Sequence, residues 1–283
     1  MTLKIEEILS QASVKIGNIS ETPLLDAEMI LANVLKISRF DLILKIKESI
    51  SIQDHTKFQN DLNRRTNFEP VAYITGEKAF FEDVFYVDHR VLIPRPETEF
   101  LVLKAIEHLK KTERKCDVLD ICCGSGCVGL SILRVMDCNL TLSDISEDAL
   151  DVSRINAEKL FPEGKDIRFI KSDLFSSISE KFDVITANPP YLSKSDMEKY
   201  VTGAMAFEPA AAFYGGESGI EKTIEIIDAS FEFLKPQGIL ILELGHEGAG
   251  YIKDLRNIKG LEIINDYSGI ERVAVISPRR SEN

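Results

Sequence analysis

Asn188-Pro189-Pro190-Tyr191 follows Val184–Ala187, a short apolar run with the β-branched content of a buried strand. A strand halted by two prolines ends in a stiff loop, because proline fixes its own φ and restricts the residue before it. An amide nitrogen is a poor nucleophile, since its lone pair is delocalised into the carbonyl. The side-chain oxygen of Asn188 and the backbone carbonyl of Pro189 can each accept one N–H of an incoming NH2 group. That holds the nitrogen and favours the charge that develops on it as a methyl group arrives. Tyr191 offers a face on which a flat amide or base stacks. No strong base is needed, because a methylated amide sheds its extra proton readily, and what remains is in-line positioning of a sulfonium methyl. Asn188, Pro189, Pro190 and Tyr191 are therefore the candidate catalytic residues. Alone, the tetrapeptide also suits a turn or a proline-rich ligand; its place at a fourth strand end, behind a cofactor-type turn, favours a site.

That turn is Cys122-Cys123-Gly124-Ser125-Gly126, between the apolar stretch Val118–Ile121 and a helix-like segment. Glycines let the backbone bend sharply and approach a ligand, and a helix N-terminus offers free amides. The spacing Gly124-x-Gly126-x-x-Gly129 also satisfies the dinucleotide fingerprint, which alone is weak. Asp120, at the strand end, is placed either to hold the turn or to meet a cationic amino group. Asp144, ending the next strand, suits both hydroxyls of a ribose and so marks an adenosine-type ligand without choosing between cofactors. In Lys171-Ser172-Asp173-Leu174-Phe175, topology puts Asp173 near an adenine amino group and Leu174 beside the ring; an ordinary polar loop is the alternative. No group suited to hydride transfer is placed nearby, which disfavours NAD.

Alternating strand and helix signals must position these residues. Strands are predicted at Val118–Ile121, Leu140–Ser143, Ile167–Ile170, Val184–Ala187, Ile239–Leu244, Glu262–Asn265 and Val273–Ile276, with helices such as Glu147–Leu160 and Gly219–Leu234 between them. This alternation gives an α/β fold, an open and mostly parallel sheet with helices on both faces and ligands at the carboxyl ends of the strands. Residues 1–79 are all-helical. Helical spacing covers Lys4–Ile16, Arg39–Lys45 (with Phe40, Leu42 and Leu44) and Ile52–Asn67. A further helix starts at Thr22-Pro23 and buries Leu24, Ala27, Ile30, Leu31, Val34 and Leu35. No nucleophile, metal or phosphate motif appears there, so the domain recognises a partner or packs. Residues 80–94 read as a β-hairpin hinge, with Phe80–Val87 turning at Asp88-His89-Arg90 into Val91-Leu92-Ile93. Residues 95–283 form the catalytic domain, and the polar tail Ser277–Asn283 is expected to fray.

Composition removes several function classes. The 283 residues carry 34 basic and 46 acidic side chains, a net charge of −12. Phosphate-driven nucleic-acid binding normally needs a basic surface, so a protein substrate fits better. No run of about 18 apolar residues exists to span a membrane, and the N-terminus resembles neither a signal nor a transit peptide. A cytoplasmic protein is expected. All five cysteines, Cys116, Cys122, Cys123, Cys127 and Cys138, fall in one stretch without a paired CxxC spacing. They read as reduced packing thiols, with no metal expected.

With these motifs in hand, the chain resembles the protein-glutamine N5-methyltransferases of bacterial class-1 peptide chain release factors. Beyond the glycine turn and Asn188–Tyr191, the resemblance is carried by Leu25-Asp26-Ala27-Glu28, Pro70–Gly76, Val91–Glu99, Asp144-Ile145-Ser146, Phe207-Glu208-Pro209, Gly215–Gly219 and Asp266–Arg272. Each is modest, but their order over most of the length is specific. It implies a helical domain that grips the release factor and a Rossmann-like, seven-stranded class I S-adenosylmethionine-dependent domain. Asn188–Tyr191 would hold the glutamine of a Gly-Gly-Gln loop, with S-adenosylhomocysteine as product. Cofactor contacts carry over to Cys122–Gly126, Asp144, Leu174 and Asn188. The chain departs at Cys122-Cys123, where relatives carry Gly, Cys or Ser and then Thr, losing one hydroxyl, and at Gly248-Ala249, where they tend to carry glutamine. The rivals are a ribosomal-protein glutamine methyltransferase, an adenine-N6 DNA methyltransferase, which needs a flipped base and a basic groove, and a non-catalytic binding protein that keeps the fold.

Overall fold

The computed structural model describes residues 4–245, 248–254 and 260–277; the tail from 278 lies outside them. The chain divides into two compact units, Met1–Glu77 with Thr202–Phe207, and Lys78–Val201 with Glu208–Asn283. Residues 202–207, which the sequence patterning places in the catalytic domain, thus group with the helices. No helix among the described residues is long and apolar enough to cross a membrane.

The first unit contains α1 (Ile5–Ile16), α2 (Pro23–Leu35), α3 (Arg39–Leu44), α4 (Ile52–Thr66) and α5 (Val71–Thr75). Proline opens α2, while Ser38 and Ser51 cap α3 and α4 by accepting the amide protons of Asp41 and Asp54. Ile8, Ala12, Ile30, Leu31, Phe58 and Leu62 close its core. Two acids of α2 turn inward and pair with bases from later helices, Asp26 with Arg65 at 2.8 Å and Glu28 with Arg39 at 2.7 Å. The Asp26-Ala27-Glu28 motif is therefore a packing device, with paired charges offsetting the cost of burial. Two expectations fail here. Leu24 is exposed because the first turn of α2 lies short of the core, and α3 buries Leu42 but leaves Phe40 and Leu44 outside.

A hairpin follows, β1 (Glu77–Phe80) and β2 (Asp83–Tyr86), which from Lys78 onward belongs to the second unit. This corrects the expected pairing of 80–87 with 91–93. The chain reverses earlier, at Phe81, which adopts a left-handed φ of 55°. Asp88-His89-Arg90 does not return a strand, because the Asp88 carboxylate gathers the Arg90 amide, the Arg90 guanidinium and the Tyr86 hydroxyl into a local knot. Val91–Ile93 forms no strand, and Ile93 N–H donates to Glu208 Oε2 at 2.9 Å.

After α6 (Glu99–Leu109), the sheet takes strands β3 (Cys116–Ile121), β4 (Cys138–Asp144), β5 (Ile167–Lys171), β6 (Phe182–Ala187), β7 (Leu234–Glu243), β8 (Leu261–Asn265) and β9 (Glu271–Ile276), in spatial order β5-β4-β3-β6-β7-β9-β8. The first five are parallel, whereas β9 runs antiparallel to both β7 and β8. All seven predicted strands are present. Helices α7 (Cys127–Val135), α8 (Glu147–Leu160), α9 (Lys194–Tyr200), α10 (Glu221–Phe233) and α11 (Gly248–Asp254) intervene. β6 is buried along its whole length, the near-continuous apolar reading of a central parallel strand. Apolar clusters gather around Leu130, Leu140 and Val184, and around Ile185, Leu240 and Leu242. The order reverses between β3 and β6, and a crevice opens at their carboxyl ends.

Candidate active site

A cavity of about 380 Å³ occupies that crevice. Asp120, Cys122, Cys123, Gly124, Ser125, Asp144, Asp173, Leu174, Asn188 and Pro190 all line it, drawing together residues up to 70 positions apart in sequence. Of the other sequence candidates, Gly126 lies beneath the turn and Pro189 is buried. Tyr191 faces a neighbouring cavity of about 660 Å³, with Gly245, Tyr200, Tyr251 and Arg272. The Asn188–Tyr191 loop therefore stands between two hollows.

The turn after β3 is built from left-handed residues, Cys122 (φ 54°), Gly124 (φ 53°) and Gly126 (φ 76°). Neighbours that sequence reasoning missed hold it. On α8, Ser153 Oγ donates to the Gly124 carbonyl at 2.8 Å, and Asn156 Nδ2 donates to the Ser125 carbonyl at 2.9 Å. Cys123 Sγ lies 3.6 Å from Ser153 Oγ, so the thiol at the departure from the family pattern still meets a polar partner. Leu174 also takes a positive φ, 48°, and with Cys122 makes two strained non-glycine residues on the cavity wall. Such strain persists where surroundings hold a site's geometry.

Asp120 holds the turn. Its carboxylate accepts from Gly129 N–H at 3.0 Å and Thr186 Oγ at 2.8 Å, and burial pushes its pKa up to about 7. Asp144 accepts from Gly124 N–H and Ser146 N–H, each at 2.9 Å. Burial raises its pKa too, against those two bonds. Every carboxylate oxygen has two lone pairs, so each can accept one further donor from a ligand in the cavity. Asp173 is exposed, with Lys222 Nζ 3.9 Å away.

Asn188 is anchored by Thr98, within the Val91–Glu99 stretch, and through it by Glu243, which no motif announces. Its Nδ2 donates to Thr98 Oγ at 3.2 Å, and Thr98 Oγ donates to Glu243 Oε2 at 2.7 Å. Thr98 ends the turn Pro96–Thr98 before α6, and Glu243 ends β7 beside β6. The same segment is pinned at Arg95, whose guanidinium meets the buried Glu208 at 2.7 Å. Small residues fix the far side of the loop. A Cβ on Gly215 would sit 2.5 Å from the Pro190 carbonyl, so only glycine allows the Leu192–Gly215 and Phe213–Leu192 backbone bonds to clamp it. Burial raises the Tyr191 hydroxyl's pKa, with Glu243 adding to the shift.

The cavity fits S-adenosylmethionine on its own evidence. Its volume falls in the range of about 300–1,000 Å³ usual for small-molecule sites. Ser143 Oγ, on its wall, is buried without a hydrogen-bond partner, and nothing lies within 4 Å of a Cβ built on Gly124, leaving room for a ligand to approach the backbone. Asp120 and Asp144 both line the hollow, and these acidic groups near the turn are compatible with a cationic ligand.

Comparison with known proteins agrees. The family models described as PrmC N-terminal domain and Methyltransferase small domain match residues 7–76 and 98–220. A release factor glutamine methyltransferase of Leptospira interrogans is 37% identical over 89% of this chain and 90% of its own. One from Clostridium acetobutylicum is 33% identical over 96% of this chain and 98% of its own. In fold, the chain matches a methyltransferase from Pyrococcus furiosus with a TM-score of 0.51 at 21% identity, covering 77% of this chain and 97% of that one. With both the helical and the methyltransferase regions matched along nearly the whole length, the chain belongs to the release factor glutamine methyltransferase family.

Proposed function

We propose that this chain transfers a methyl group from S-adenosylmethionine to the side-chain amide nitrogen, N5, of the glutamine in the Gly-Gly-Gln loop of a class-1 peptide chain release factor in the cytoplasm. S-adenosylhomocysteine is the product, and the modification tunes translation termination. The observation that carries this is the side-chain polarity of Asn188: its NH2 is committed to Thr98, so its oxygen is left to receive an amide N–H.

S-adenosylmethionine supplies an electrophilic methyl group on a positively charged sulfur. The protein's part is binding, orientation and acceptance of protons. The Cys122–Gly126 turn and Asp144 hold the cofactor, with Asp173 and Leu174 beside its base. Asn188 Oδ1 and the Pro189 carbonyl accept the two N–H bonds of the substrate amide. Both acceptors sit on a loop already clamped at Leu192, so they need no reorganisation as charge appears on nitrogen. The planar amide stacks on Tyr191, on the side of the second cavity. The helical unit takes up other parts of the release factor. A nucleobase substrate is disfavoured by the net charge of −12.

The test is labelled methyl transfer from S-adenosylmethionine to a release factor and to one whose loop glutamine is replaced. Label should enter only the unreplaced protein, and Asn188→Ala should remove nearly all of it. Equal labelling of both would mean that the target is another residue.

A further inference from the structure

A carboxamide presents an oxygen that only accepts and a nitrogen that only donates, on a group that can rotate by half a turn. An asparagine that must accept from a substrate amide therefore needs something to tell its two ends apart. Among the described residues, a chain of three buried or half-buried groups does this. Glu243 is 3% exposed, Thr98 2% exposed, and both lie on the inner side of Asn188. An ionised Glu243 only accepts, so the single hydroxyl proton of Thr98 goes to it, over 2.7 Å. The Thr98 oxygen then has lone pairs but no proton for Asn188. Only the NH2 end of Asn188 can face it, as the 3.2 Å contact has it. A protonated Glu243 reverses every step. It donates to Thr98, the Thr98 proton turns to Asn188, and the amide oxygen is drawn inward, away from the substrate.

We propose that Thr98 and Glu243 are positioning residues for methyl transfer, a relay whose direction sets which end of the Asn188 side chain faces the reacting amide. This rests on the function proposed above. The relay works through Asn188, and neither of its other members needs to touch substrate. The groups facing Glu243 are Thr98, Arg95 and Glu97 from the segment before α6, Arg272 from β9, Tyr191 from the loop after β6, and Cys127 from α7. Burial outweighs the two arginines and holds the Glu243 carboxyl at about 7, within reach of ordinary pH.

The experiment has one arm that needs no substrate. With 15N-labelled asparagine, the side-chain NH2 signal of Asn188, assigned by its loss in Asn188→Asp, is followed from pH 6 to 8.5 in the wild type, Thr98→Val and Thr98→Ser. The wild-type and serine signals should shift with a midpoint near 7, and the valine signal should not. In the second arm, methylation of a release factor should show kcat falling roughly tenfold to a hundredfold in Thr98→Val, the scale of a misplaced reacting group. KM should change far less, and serine should restore kcat. Wild-type kcat should decline as pH drops through about 7, with no such inflection in the valine variant. A flat wild-type NH2 titration, or wild-type kcat in Thr98→Val, overturns the relay. A wild type that titrates but labels no release factor leaves the relay standing and removes the proposed substrate.

Discussion

Gly245→Ala separates the stacking role proposed for Tyr191 from cofactor binding. Gly245 follows β7, and a Cβ there would lie 2.9, 3.1 and 3.2 Å from Cδ2, Cγ and Cβ of Tyr191. Carbon atoms prefer about 3.5–4.0 Å, so the ring must retreat by roughly 0.6 Å or more. The loop has little slack on its other side, where Gly215 packs on the Pro190 carbonyl and Leu192 is bonded to Phe213 and Gly215. The strain therefore appears as overpacking of about 1–3 kcal/mol and as a displaced ring. A shift of that size at a reacting centre costs on the order of tenfold in kcat, and up to a hundredfold as it nears 1 Å. Tyr191 lines the second cavity rather than the first, so affinity for S-adenosylmethionine should stay within about twofold, a small fraction of one binding contact. Labelled transfer at saturating release factor reads the first quantity and titration calorimetry the second. Tyr191→Ala should lower kcat at least as much, and the double variant should add little to it. Full kcat in Gly245→Ala, or equal losses in kcat and cofactor affinity, would refute the assignment of Tyr191 to the substrate side.

Three further outcomes are expected. Asp144→Ala should weaken cofactor binding by roughly tenfold to a hundredfold, the usual range for a charge-assisted contact, with little effect on kcat once the cofactor saturates; calorimetry checks it. Asp120 has its folded pKa raised to about 7, so it contributes stability that is fully present below its unfolded value and lost as pH rises through about 7. Thermal melting between pH 6 and 8 should accordingly fall more steeply with pH in the wild type than in Asp120→Asn. Burial is the leading cause raising the thiol pKa of all five cysteines, with Cys127 and Cys138 at about 12. None should alkylate with iodoacetamide at pH 7.5 until the protein is unfolded, as mass spectrometry would show.

Much of this was legible because local patterning and local physics coincide. The apolar runs of β3, β4, β6 and β7 are interior, largely buried strands, so their sequence signal is strong. Glu147–Leu160 has a serine cap, an acidic first turn and a regular apolar face, so α8 was readable to the residue. What escaped were pairings with no local trace. Thr98 and Glu243 are 145 positions apart, and Ile93 and Glu208 are 115, so neither pair leaves any periodicity to find. The glycines at 215 and 245 act sterically, against the backbone and ring of a segment far away in sequence, and such contacts leave no local pattern. The hairpin was misplaced for a different reason. Its reversal rests on a phenylalanine in a left-handed conformation, where turn chemistry would look for glycine or asparagine.

The strand order has a bearing on how the protein is made. β9 lies between β7 and β8, so the last of the described strands to leave the ribosome occupies an interior position in the sheet. Until it emerges, β7 offers a bare edge and β8 has no strand to pair with. The five parallel strands can assemble first, but the sheet is completed only when β9 has emerged, and a nascent chain halted before residue 271 would display an open β7 edge prone to pair with a neighbour.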